Sequence, residues 1–111
     1  MEQLGYTYTP YRCKLKLSLV ELAVLYEMMG RCRPDYKTIT GRAIMEFVIN
    51  KRIEFARKLT ERRKSYSITL NAINARCMIN MLNNIPDDGL DLEGLEASVD
   101  YKIKNEILKT V

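Results

Sequence analysis

Two stretches of this chain carry the same pattern of apolar and polar residues. Residues 13 to 29, CKLKLSLVELAVLYEMM, align with residues 66 to 82, YSITLNAINARCMINML, so that Leu15 meets Ile68, Leu17 meets Leu70, Val20 meets Ile73, Leu25 meets Met78 and Met28 meets Met81. Repetition of this kind constrains a fold more than any single motif, because both copies must bury the same face and neither has a partner for it alone. Each copy alternates apolar and polar for about six residues and then changes to a helical period. That is the pattern of a strand running directly into a helix.

Local signals set the element boundaries. Ser18 followed by Glu21 is an S-x-x-E capping box, in which each side chain satisfies a free backbone N–H at a helix start. Asn71, also a favoured cap, holds the matching place in the second copy. The first helix is predicted over Leu19–Met29, with Leu22, Leu25 and Met29 on one face and Gly30 as its stop. Residues 31 to 39, RCRPDYKTI, read as a loop broken by Pro34. Thr38 or Thr40 then caps a long helix over residues 41 to 63, GRAIMEFVINKRIEFARKLTERR. Ile44, Val48, Phe55 and Leu59 share one face of it, and Ile49, Ile53 and Ala56 widen the apolar surface. A helix from about Ala72 to Leu82 follows the second strand, and NNIPDDGLD has the composition of a turn. In the last helix Leu92, Leu95, Val99, Ile103 and Ile107 recur at three- and four-residue intervals. Acids at its start (Asp87, Asp88, Asp91, Glu93) and Lys102, Lys104 and Lys109 toward its end complement the helix dipole.

The expected fold is mainly α (α+β): a duplicated β-α-α unit whose two strands pair as an antiparallel ribbon packed on four helices. Its 111 residues form a single domain, built from repeat 1 (12–63) and repeat 2 (64–111) after a leader (1–11). Two strands alone are marginal in water, so the ribbon must turn Cys13, Leu15, Leu17, Tyr66, Ile68 and Leu70 toward the helices. Its other face then carries Arg12, Lys14 and Lys16 from one strand and Ser65, Ser67 and Thr69 from the other.

A strand followed by two helices, doubled about a pseudo-two-fold axis, resembles the ribbon-helix-helix family of DNA-binding proteins, here as a tandem single chain over residues 12 to 111. The resemblance implies that the outward side chains Arg12, Lys14, Lys16, Ser65, Ser67 and Thr69 enter the DNA major groove, which admits a two-stranded ribbon. It also implies that a phosphate sits at the start of the long helix, near Thr40, Gly41 and Arg42. The chain departs from the family in three ways. Its loop at residues 31 to 39 is longer, and acids occupy the matching start of the last helix. The charge is also uneven: residues 1 to 63 hold 13 basic and 7 acidic side chains, and residues 64 to 111 hold 5 and 7.

A second basic feature is KRIEFARKLTERRK, residues 51 to 64. Lys51, Arg52, Arg57, Lys58, Arg62, Arg63 and Lys64 are offset there only by Glu54 and Glu61. It fits a grip on phosphate backbones. It equally fits a solvated helix face, since Glu54 with Lys58 and Arg57 with Glu61 stand four apart. Tyr6, Tyr8 and Tyr11 in the leader suit either base stacking or packing over the core. Met28, Met29, Met45, Met78 and Met81 suit core filling or an adaptable partner groove.

Histidine is absent, which removes the usual base near pH 7 and the commonest metal ligand. The three cysteines, Cys13, Cys32 and Cys77, have no C-x-x-C pair, so neither a disulfide framework nor a zinc site is expected. They read as two core thiols and one loop thiol in a reducing compartment. No glycine-rich phosphate loop is present. The longest apolar run, residues 22 to 25, falls far short of the roughly 20 needed to span a bilayer, and the N-terminus lacks a signal-peptide pattern. The expectation is a cytoplasmic, non-enzymatic regulatory protein without cofactor, metal, membrane contact or small-molecule substrate, whose partner is nucleic acid. The alternative is a protein-protein interaction module, an adaptor or inhibitor with no nucleic-acid contact.

Overall fold

The computed structural model describes residues 8–86, 91 and 94–110. The chain runs β1 (Cys13–Ser18), α1 (Leu19–Met29), α2 (Ile39–Thr60), β2 (Ser65–Leu70), α3 (Ala72–Leu82) and α4 (Leu95–Lys109). The domain is mostly helical, with four helices and one two-stranded antiparallel sheet.

The alternation in the two strands sets the ribbon register. Cys13 pairs with Leu70, Leu15 with Ile68 and Leu17 with Tyr66, and all six side chains are buried. Lys14 opposite Thr69 and Lys16 opposite Ser67 face outward and are exposed. A slip of one residue would exchange the two sets, so burial of the apolar face holds the register.

Both strands pass into helices without a loop, through caps that suit the switch. Ser18 completes its capping box: its Oγ accepts from the Glu21 N–H at 3.1 Å, and its own N–H donates to Glu21 Oε1 at 2.8 Å. Asn71 Oδ1 accepts from the Asn74 N–H at 2.8 Å. The two short helices bury matching positions: Leu22 and Ala75, Leu25 and Met78, Met28 and Met81, Met29 and Leu82. Val20 and Ile73, also paired in the sequence match, are instead 56% and 74% exposed. The second residue of its helix in each case, it lies on the side away from the core.

Each short helix packs against both long ones. Ile44, Phe47, Val48 and Phe55 of α2 and Val99, Ile103 and Ile107 of α4 close the core. Burial of each such side chain is worth roughly 1.5–3 kcal/mol. Ile49 and Ile53, expected to widen the buried surface of α2, are each 53% exposed, and Phe47 takes the inward place. The loop after α1 is pinned to the end of α3, where the Arg33 N–H donates to the Asn84 carbonyl at 3.0 Å. Cys32, the loop thiol, is therefore buried, and Cys77 on α3 is the partly exposed one.

Two glycines lie against close neighbours, a flexible side chain at Gly30 and backbone at Gly41. Gly30 ends α1 with ordinary right-handed geometry (φ −66°, ψ −18°), and a Cβ there would lie 3.1 Å from the Arg52 guanidinium. Gly41, in the first turn of α2, has the Asp35 carbonyl oxygen 1.8 Å from where its Cβ would be. α4 starts after Gly94, in the left-handed region at φ 68°. Asp91, as the acid pattern anticipates, caps α4 by accepting from the N–H groups of Glu96 and Ala97 at 3.0 and 3.1 Å. Leu92, Asp87, Asp88 and Glu93, like Tyr6, lie outside the described residues.

Candidate nucleic-acid interface

The outward ribbon face is built by period-two alternation, which places Arg12, Lys14 and Lys16 along one strand and Ser65, Ser67 and Thr69 along the other. All six are exposed. Lys14 stands directly across from Thr69 and Lys16 across from Ser67, a cross-strand separation of about 5 Å between Cβ atoms. Among the described residues, Arg12, Lys14 and Lys16 have no ion-pair partner, so their charge is directed at solvent.

A groove borders each edge of the ribbon. On the β2 side, a groove of ≈ 520 Å³ lies between that strand and the C-terminal half of α2, lined by Arg57, Lys58, Arg63, Ser65 and Ser67 together with Glu54 and Glu61. On the β1 side, a groove of ≈ 450 Å³ is lined by Lys14, Lys16, Lys64 and Lys102 with Glu21 and Glu106. The acids in these grooves are largely engaged. Glu61 pairs with Arg63 at 2.7 Å and Glu21 with Lys102 at 2.7 Å. Partial burial acts to raise the Glu21 pKa, but the Lys102 ammonium and the Ser18 N–H outweigh it and hold the carboxyl below its ordinary value.

The helix end that meets the ribbon is the C-terminal end of α2, joined to β2 through residues 61 to 64. The buried Tyr66 braces that link: its hydroxyl donates to the Glu61 carbonyl at 2.7 Å and accepts from the Arg63 N–H at 3.2 Å. Arg62 and Arg63, within that link, are exposed, and Arg63 lines the β2-side groove with Ser65 and Ser67. Gly41 and Arg42 lie at the other end of α2, roughly 28 Å along its axis from Thr60 at 1.5 Å per residue. That N-terminus is capped by Thr38, whose Oγ1 accepts from the Gly41 N–H at 2.9 Å, and Arg42 Nε donates to the Tyr36 carbonyl at 3.0 Å. Lys51 and Arg52 sit mid-helix. Lys51 is 3.4 Å from Glu54, and the Arg52 guanidinium stacks 4.3 Å above the Tyr26 ring with a buried Nε that has no hydrogen-bond partner.

The geometry therefore gathers Arg12, Lys14, Lys16, Ser65, Ser67, Thr69, Arg62 and Arg63 and leaves Gly41, Arg42, Lys51 and Arg52 apart. It adds Lys64 and Lys102. Lys64 belongs to the basic run already evident in sequence, whereas the approach of Lys102 to Glu21 joins α4 to α1 and had no local signal. Of the leader tyrosines, Tyr11 packs against the core and donates to the Ile107 carbonyl at 2.8 Å, and Tyr8 is exposed.

Burial raises the pKa of the Cys32 and Cys77 thiols, which keeps the nucleophilic thiolate scarce at neutral pH. Among the described residues no group of three or more potential metal ligands gathers, and no helix is long and apolar enough to cross a membrane. No protein-family model, no curated protein and no solved structure matches this chain.

Proposed function

We propose that the protein is a small, non-enzymatic, regulatory nucleic-acid-binding protein of ribbon-helix-helix-like build, a duplicated β-α-α unit acting as a single-chain pseudo-dimer in the cytoplasm. The observation that carries this reading is the outward ribbon face, where unpaired cations on one strand stand in register across from hydroxyls on the other, on a two-stranded element of the width a major groove accepts. Lys and Arg donate to guanine O6 and N7, and Ser and Thr bond bases or phosphates. Arg57, Lys58, Arg62 and Arg63 along one edge supply contacts to the phosphate backbone. The duplication is supported by the matching caps, Ser18 and Asn71, and by the matching buried positions of α1 and α3.

Binding of this kind releases counterions, so affinity for duplex DNA should fall steeply with salt, by roughly 0.9 in log–log slope for each phosphate neutralised. Fluorescence anisotropy with a labelled random duplex at about 50 and 200 mM salt reads that slope. A slope near zero, or no binding at the lower salt, refutes the proposal.

A second reading, an adaptor or inhibitor with no nucleic-acid contact, is favoured by the exposed face of α2. Ile49 and Ile53, with Met45 and Ala56, border a groove of ≈ 380 Å³ that Tyr26 and Tyr36 also line. Stoichiometric capture of one protein, lost in Ile49→Asp/Ile53→Asp, together with absence of duplex binding would select it.

A further inference from the structure

The ribbon face is not symmetric under the axis that relates the two halves of the fold. Positions equivalent in the two copies carry different chemistry: Arg12 corresponds to Ser65, Lys14 to Ser67 and Lys16 to Thr69. In the observed register Lys14 lies across from Thr69 and Lys16 across from Ser67. A half-turn about the ribbon's centre therefore exchanges cations for hydroxyls at every outward position.

A protein whose halves are identical imposes its two-fold symmetry on DNA and selects palindromic sites. Here the requirement is lifted at the contact surface itself. Lys and Arg can only donate, and Ser and Thr both donate and accept. In a palindromic site the base step that satisfies Lys14 on one side recurs, rotated about the dyad, at Ser67 on the other. Each mismatched direct contact weakens binding by roughly ten- to a hundred-fold, so the two orientations of a palindromic site gain nothing from symmetry. The flanks add to the polarity. The β2 edge holds Arg57 and Lys58 beside an Arg63 paired to Glu61, whereas the cation contributed by α4 at the β1 edge, Lys102, is held by Glu21.

Resting on the nucleic-acid reading above, we propose that the ribbon recognises a non-palindromic segment of duplex DNA in one fixed orientation, with the cationic strand β1 and the hydroxyl strand β2 reading unlike half-sites. The test is selection from a random duplex library by the full chain, followed by affinity measurements on the enriched sequence and on the two palindromes made by mirroring each of its halves. The expected result is a motif without two-fold symmetry, with both palindromes bound at least about ten-fold more weakly. A palindromic motif, an affinity for either palindrome equal to that for the enriched sequence, or enrichment of no sequence overturns the proposal and leaves duplex binding standing. Failure to retain any duplex at low salt overturns the nucleic-acid reading itself. The variant Ser67→Lys/Thr69→Lys, which alters exposed positions only, should move the selected motif toward two-fold symmetry; an unchanged motif also counts against the proposal.

Discussion

Lys102 of α4 places its Nζ 2.7 Å from Glu21 Oε1, the same oxygen that accepts the Ser18 backbone N–H at 2.8 Å. One carboxylate thereby closes the capping box of α1 and ties the last helix to the point where β1 ends. Glu21→Ala should destabilise the fold by about 1–2 kcal/mol, and Glu21→Gln by less, because an amide still completes the box.

The charge of Glu21 makes a pH-dependent contribution of known sign. Its native pKa is depressed, so the stabilisation is present in full above the ordinary carboxylate value of 4.5 and is lost as pH falls through the lower native value. Denaturant melts between about pH 7 and pH 3 should show wild type and Glu21→Gln converging at the acid end. A gap that persists or widens there would show that the ion pair contributes nothing through its charge.

Gly41 has no room for a side chain. With the Asp35 carbonyl oxygen 1.8 Å from the would-be Cβ, Gly41→Ala forces the loop ahead of α2 to move. The loop is itself held there, since Thr38 donates to that same oxygen through its N–H at 3.2 Å and its hydroxyl at 3.0 Å. The expected cost is about 1–3 kcal/mol, read as a lowered denaturation midpoint. Gly94, at φ 68° with open space around it, should cost only about 1 kcal/mol when changed to Ala, from backbone conformation alone.

Leu22 and Ala75 occupy equivalent positions in α1 and α3, and both are buried. The smaller side chain leaves an apolar groove of ≈ 260 Å³ lined by Ala72, Ala75, Ile79, Ile107 and Leu108. Leu22→Ala should therefore cost about 2–5 kcal/mol. Ala75→Leu should stabilise by roughly 0.5–2 kcal/mol through filling the groove. Loss of stability in Ala75→Leu would mean that the groove walls cannot admit the larger side chain.

Much of this architecture was legible in the sequence because it is decided locally. Alternation at Cys13, Leu15 and Leu17 and at Tyr66, Ile68 and Leu70 specified both strands and their buried face, and Ser18 and Asn71 fixed where each becomes helix. The ends of α1 at Met29 and α3 at Leu82 followed from the apolar period. What was not legible depends on which neighbour a face meets. Periodicity shows that α2 is apolar over a broad arc but cannot tell which side of that arc the short helices cover, so Ile49 and Ile53 looked buried and Phe47 did not stand out. Gly30 was legible as the stop of α1, but its closeness to Arg52, on another helix, was not. In the candidate interface, the six outward ribbon residues were readable from strand period alone. The separation of Gly41 and Arg42 from the ribbon depends on the direction in which α2 runs.

Charge reversal on the ribbon face tests the central claim most directly. The Lys14→Glu/Lys16→Glu double variant keeps the buried side of β1 unchanged, and Lys37→Glu/Arg42→Glu supplies the same charge change at the far end of α2. Anisotropy titration with duplex DNA at fixed low salt should show the ribbon variant losing affinity by on the order of a hundred-fold or more, and the distant variant by about ten-fold or less. Wild-type affinity in the ribbon variant, with its fold confirmed by circular dichroism, would contradict the account.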